Sequence, residues 1–198
     1  RTESPLKKLL VNLMLLMTSV LAGMLIAINI VEEKMDNTVG AINVSPVSRK
    51  VFILGKSMIG VFFATYGSIA IVWITGYRDV NFGQMVLAVL SITLLSIVIG
   101  IIQGIVSDDV MDAAGGIKML FLPIGAAVAV AELLSDKWQP LVYWLPFYWS
   151  YKSNEAILSY TSTWSQILGY TAIILALFGV VYYLLVPKIH AGLSTQSK

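Results

Sequence analysis

The chain has 198 residues, of which 58% are hydrophobic and 12% charged, and its mean hydropathy is +0.83. That composition excludes an ordinary soluble domain and places the chain among integral membrane proteins. A formal net charge of +2, with basic residues scattered among loops, argues against nucleic acid as a partner, and the absence of cysteine excludes a disulfide framework and a thiolate metal site.

In chain order, five segments are long and apolar enough to span a bilayer: Leu9 to Val31, Val51 to Thr75, Met85 to Val106, Gly116 to Leu134 and Trp164 to Val186. The first is about 35 Å long at about 1.5 Å per residue, enough to cross a hydrocarbon core of about 30 Å with some tilt. Runs this continuous do not match the alternation of a membrane barrel strand. The expected fold is all-α, a polytopic helical bundle in which residues 1–198 form a single transmembrane domain. An odd number of spans puts the termini on opposite sides, and the start at Arg1, close to the first span, leads us to expect a sixth span upstream. Ser19, Gly23 and Ala27 in the first span, and Gly100 and Gly104 in the third, form stripes of small residues suited to close helix contact. Asn12, Asn29 and Gln103 are polar positions within spans; they are candidates for lining a transport path, with helix packing as the alternative.

Between the first two spans, residues 32–50 form a polar loop reading EEKMDNTVGAINVSPVSRK. Asp36 or Asn37 can N-cap a short helix in which Val39 and Ile42 share a face. Ser45 can cap a second helix with Pro46 as its first residue, needing no N–H partner and running on into the next span. Two caps in about twenty residues are more than a plain connector requires. With this loop on the cytoplasmic side, that side carries seven Lys and Arg residues against six, or against three when Arg1, Lys7 and Lys8 of the N-terminal segment are set aside. All five Trp residues then fall on the outer side, at Trp73, Trp138, Trp144, Trp149 and Trp164. Ser107 to Gly116 reads as a second cytoplasmic turn rich in small residues. Residues 135–163, with Pro140, Pro146 and a Tyr-rich stretch, read as an outer re-entrant-like segment.

Two motifs bear on chemistry. Gly55-Lys56-Ser57 has the ending of a phosphate-binding loop, but Lys50 stands where its first Gly must be, so the chain carries no nucleotide site of its own. Asp108, Asp109 and Asp112 match a DDxxD pattern that could grip magnesium diphosphate in an intramembrane prenyl transferase. A second acidic motif is missing, and Ser107 followed by two acids also reads as a helix N-cap. No cysteine nucleophile exists, and no histidine base lies inside the expected fold.

The loop as a whole resembles that of the permease subunits of type-2 ABC exporters. Their pattern, Glu-Lys-Glu-x-Gly-Thr, then Leu, then Thr-Pro-Val-Ser-Arg and Gly-Lys, is met by Glu33, Lys34, Thr38, Ile42, Ser45 to Arg49, Gly55 and Lys56. Met35 and Asn37 depart from it. The order of spans and the long outer segment agree with the same family. The resemblance implies an ATP-driven exporter permease, not itself an enzyme, with ATP and Mg²⁺ held by a separate ABC ATPase. Glu33, Asp36, Asn37, Thr38, Val39, Ile42, Pro46 and Arg49 would couple to that ATPase. A second permease, identical or homologous, would complete the path, in the plasma membrane of a prokaryote. A passive channel or structural subunit is the other competing class.

Overall fold

The computed structural model describes residues 4–36 and 49–195, and among them every regular element is helical. In chain order these are α1 (Pro5–Met35), α2 (Arg49–Ile74), α3 (Phe82–Val106), α4 (Val110–Lys118), α5 (Phe121–Leu133), a 3-10 turn (Gln139–Val142), α6 (Pro146–Leu158) and α7 (Trp164–Thr195). Helices α1, α2, α3 and α7, and the interrupted pair α4–α5, are each long and apolar enough to cross a membrane.

Local chemistry sets the boundaries. Proline opens both α1 and α6, where the first N–H has no helical partner to lose. Asn81 caps α3 by accepting from the Gln84 N–H at 3.1 Å. Helix α2 ends in a Schellman turn, the Tyr77 N–H donating to Val72 O at 3.0 Å while Gly76 takes φ of 88°. The same motif ends α6, but there the left-handed position holds Tyr160, at φ 58°, whose ring stacks on that of Tyr77.

Helices α1 and α3 form the centre. Just over half of the most apolar stretch of each, 56%, is buried, against 22% for α2 and 17% for α7. The two central helices run parallel, and their small residues meet one another: a Cβ on Gly23 would collide with the Ser96 carbonyl, and one on Gly100 with the Gly23 carbonyl. Thr93 Oγ1 and Ser19 Oγ lie 3.3 Å apart in the same seam. The two stripes read from the sequence are therefore opposite sides of one contact, where lost side-chain volume lets backbones approach.

Helix α6 inserts among the distal ends of the spans and packs against α1, α3, α5 and α7. It is a polar helix in a buried place, with Ser150, Ser153 and Asn154 all inside.

Three boundaries differ from the sequence reading. Helix α1 begins at Pro5 and carries on through Glu32–Met35, which the pattern places in the loop; Asp36 ends it, its backbone N–H donating to Glu32 O at 2.9 Å. The expected turn from Ser107 to Gly116 is helical from Val110, so the fourth span starts earlier than Gly116. That span is also broken at Met119 and Leu120, where i→i−3 bonds replace the helical ladder: Met119 N–H to Gly116 O, Leu120 N–H to Ile117 O, and Leu122 N–H to Met119 O. Pro123 accounts for the break, because it has no N–H to offer Met119 O and its ring crowds that carbonyl.

Candidate functional site

The loop between α1 and α2 is held at its base by two lysines. Lys34, in the last turn of α1, donates from Nζ to the carbonyls of Ile105 at 2.8 Å and Ser107 at 2.7 Å, with Gly104 O at 3.5 Å. These carbonyls end α3, where the helix leaves acceptors unsatisfied and its dipole favours a cation. Lys56, two turns into α2, pairs with Glu33 at 2.7 Å and also donates to Asn29 Oδ1 at 3.0 Å. Both partners of this ion pair are mostly buried, so water screens it little.

The same end of the bundle is tied to α4. Gln103 Nε2 donates to Ser107 Oγ at 2.8 Å, and the Gln103 amide fills the space over Gly116 that any Cβ there would need. One contact chain therefore runs from the loop's two ends through the C-terminus of α3 to the start of the interrupted span.

At the opposite end the polar interior is organised around α6. Asn12 is buried in α1 and donates from Nδ2 to the Tyr151 carbonyl at 2.9 Å; its Oδ1 finds no hydrogen-bond partner among the described residues. The Tyr151 hydroxyl donates a hydrogen bond to Glu132 Oε1 of α5. Burial first, and the Glu132 carboxylate second, hold that phenol far above its ordinary range, so it stays a donor. Lys8 of α1 donates to Ser159 Oγ at 3.2 Å and lies 3.9 Å from Glu155. These bonds fix α6 to α1 and α5.

The structure thus brings Glu33 to the loop base, puts Asp36 at the end of α1 and begins α2 at Arg49. Asn37, Thr38, Val39, Ile42 and Pro46 lie outside the described residues. Asn29 and Gln103 join neighbouring elements at the loop end, and Asn12 does so at the other. Lys56 occupies an ion pair inside a helix rather than a phosphate cradle. In the acidic cluster the cap is Asp109, not Ser107: Asp109 Oδ1 accepts from the Asp112 N–H at 2.8 Å, while the Ser107 carbonyl and hydroxyl serve Lys34 and Gln103. Among the described residues no three His, Cys, Asp or Glu side chains are placed to hold a metal ion.

The roles of Lys34, Lys56, Tyr151 and Pro123 escaped the sequence reading. Only Pro123, inside an apolar run, left a signal that could have been read there.

A protein-family model described as "Fluoroquinolones export permease protein Rv2686c-like" matches residues 2–185 of the chain. No curated protein and no solved structure matches it.

Proposed function

The chain belongs to the Rv2686c-like fluoroquinolones export permease family, a family of membrane transport subunits, and we propose from that premise that it is the permease of an ATP-driven exporter worked by a separate ABC ATPase. ATP and Mg²⁺ act on that partner. The segment from Asp36 to Asn43 docks in a groove of the ATPase, with Val39 and Ile42 as apolar anchors. Two permeases, identical or homologous, complete the path in a prokaryotic plasma membrane, and the cargo is an amphipathic drug of the kind in the family's name.

The observation that carries this reading is the doubly fastened loop base. A connector with no mechanical duty needs neither a mostly buried ion pair between the two helices that flank it nor a lysine set on the carbonyls of a third helix. Together they turn a push on the loop into a displacement of three spans.

Cysteines placed one at a time at Val39 and Ile42 test the docking directly, since the chain has none of its own. In a complex that exports a fluoroquinolone from vesicles only when ATP is present, at least one should crosslink to the ATPase. Failure of both in an export-competent complex rules out this docking. ATP-independent export rules out the exporter itself.

A further inference from the structure

A cavity of about 390 Å³ lies at the end of the bundle away from the loop, between the 3-10 turn, α6 and the first two turns of α7. Four aromatic rings form its wall. Tyr143 sits 5.2 Å from Tyr148 and 5.0 Å from Trp149 between ring centroids, Tyr148 meets Trp149 edge-on at 5.3 Å, and Trp149 reaches Tyr170 at 5.5 Å. Hydrogen bonds hold this wall in place. The Trp149 indole donates to Tyr143 O at 2.7 Å, the Tyr148 hydroxyl to Gln139 Oε1 at 2.6 Å, and Gln166 Nε2 to the Tyr170 hydroxyl at 3.1 Å.

One helical turn further along α6 from Tyr148 and Trp149 stand Lys152 and Glu155, paired at 3.0 Å, each about a quarter exposed and both lining the cavity. Lys8 lies 3.9 Å from the same Glu155. Lys8 is not part of the lining, but it shares Glu155 with Lys152, so the Lys152 ammonium is not the only counter-charge of that carboxylate. Structural packing alone does not require rings around an open space of this size, and the volume falls within the range of small-molecule sites.

We propose that this cavity is a cargo subsite for a planar aromatic carboxylate, its ring stacked among Tyr143, Trp149 and Tyr170 and its carboxylate on Lys152. The inference rests on the export reading above and deepens it: fluoroquinolones are fused planar rings bearing a carboxylate. Pre-set rings lose little entropy when a flat ligand stacks on them, and an ammonium–carboxylate bond fixes which way round the ligand lies. The subsite belongs to one copy of the chain, at the end where cargo leaves the path.

The test uses the full complex with its ATPase, ciprofloxacin as the probe, and its decarboxylated analogue as the control, with binding read by ligand fluorescence anisotropy. Lys152→Gln should weaken ciprofloxacin binding at least tenfold and leave the analogue unchanged, and Lys152→Arg should restore most of the loss. Tyr170→Leu should weaken both ligands. Unchanged ciprofloxacin binding in Lys152→Gln and Tyr170→Leu, or no binding by the wild-type complex, overturns the subsite. Equal loss of both ligands in Lys152→Gln overturns the carboxylate contact. Binding that behaves as expected in a complex without ATP-driven transport would instead overturn the export reading and leave the subsite standing.

Discussion

Lys34 shows how one side chain can join two distant parts of this chain. Its ammonium meets carbonyls some seventy residues away, and such a contact at a helix C-terminus contributes about 1 kcal/mol. That is too little to decide folding, but the bond lies on the proposed path from loop to spans. Lys34→Met should therefore leave the helical bundle intact and ATP hydrolysis by the complex running, while export per ATP falls several-fold. Lys34→Arg should keep most of the coupling. The ratio of transported drug to released phosphate in vesicles measures both, and an unaltered ratio in Lys34→Met would remove Lys34 from the coupling route. In the sequence, Lys34 is visible only as one letter of the exporter-like loop. Its acceptors are backbone carbonyls, which carry no residue-type signal, so the cap could be found only once α1 and α3 were placed side by side. Asn12 was legible as a buried polar group in a span, but its partner, the Tyr151 carbonyl, was not, for the same reason.

Spans were easy to read because a run of some twenty apolar residues is an unambiguous pattern, and the α1–α3 seam was legible in Gly23, Gly100 and Gly104. The broken fourth span was not, and of α6 only its place in a re-entrant-like segment was. Averaged hydropathy passes smoothly over Pro123, and the polar sequence of α6 does not show which helices surround it. Physical consequences differ between the seam and the break. Gly100→Ile forces a branched side chain against the backbone of α1 and should destabilise the bundle by roughly 1–3 kcal/mol, the range for overpacking, which a lower thermal midpoint in detergent would report. Pro123→Ala does the opposite locally. It returns an N–H to the Met119 carbonyl and should make α4 and α5 one helix, with stability unchanged or raised by about 1 kcal/mol. If the break lets the loop end move independently of α5, export should nevertheless fall in Pro123→Ala. Full export from a variant with a higher midpoint would show the break to be an accident of sequence.

A single copy offers no room for cargo along the seam of its two central helices, because the Gly23 and Gly100 backbones touch there and the polar groups around them, Ser19, Thr93 and Ser96, are buried. If two permeases form the route, as proposed, it would use helices that one copy leaves exposed, and α2 presents the stronger claim. Met58, Phe62 and Tyr66 follow one another at helical spacing on its outer face, each more than 60% exposed, with the rings of Phe62 and Tyr66 stacked at 5.9 Å. Tyr66 falls near the middle of the Leu54–Ile74 span, far from either interface where a phenol is at home, so its hydroxyl facing lipid would be costly. Contact with a partner helix or with water in the path removes that cost. Phe62→Cys, the sole thiol in an otherwise cysteine-free chain, should thus form a copper-catalysed disulfide between two permeases in the membrane. A cysteine in place of Leu175, exposed on α7, should not. The reverse result would move the pairing face to α7, and the absence of both crosslinks in an exporting complex would mean that the two copies meet along neither exposed helix at these positions.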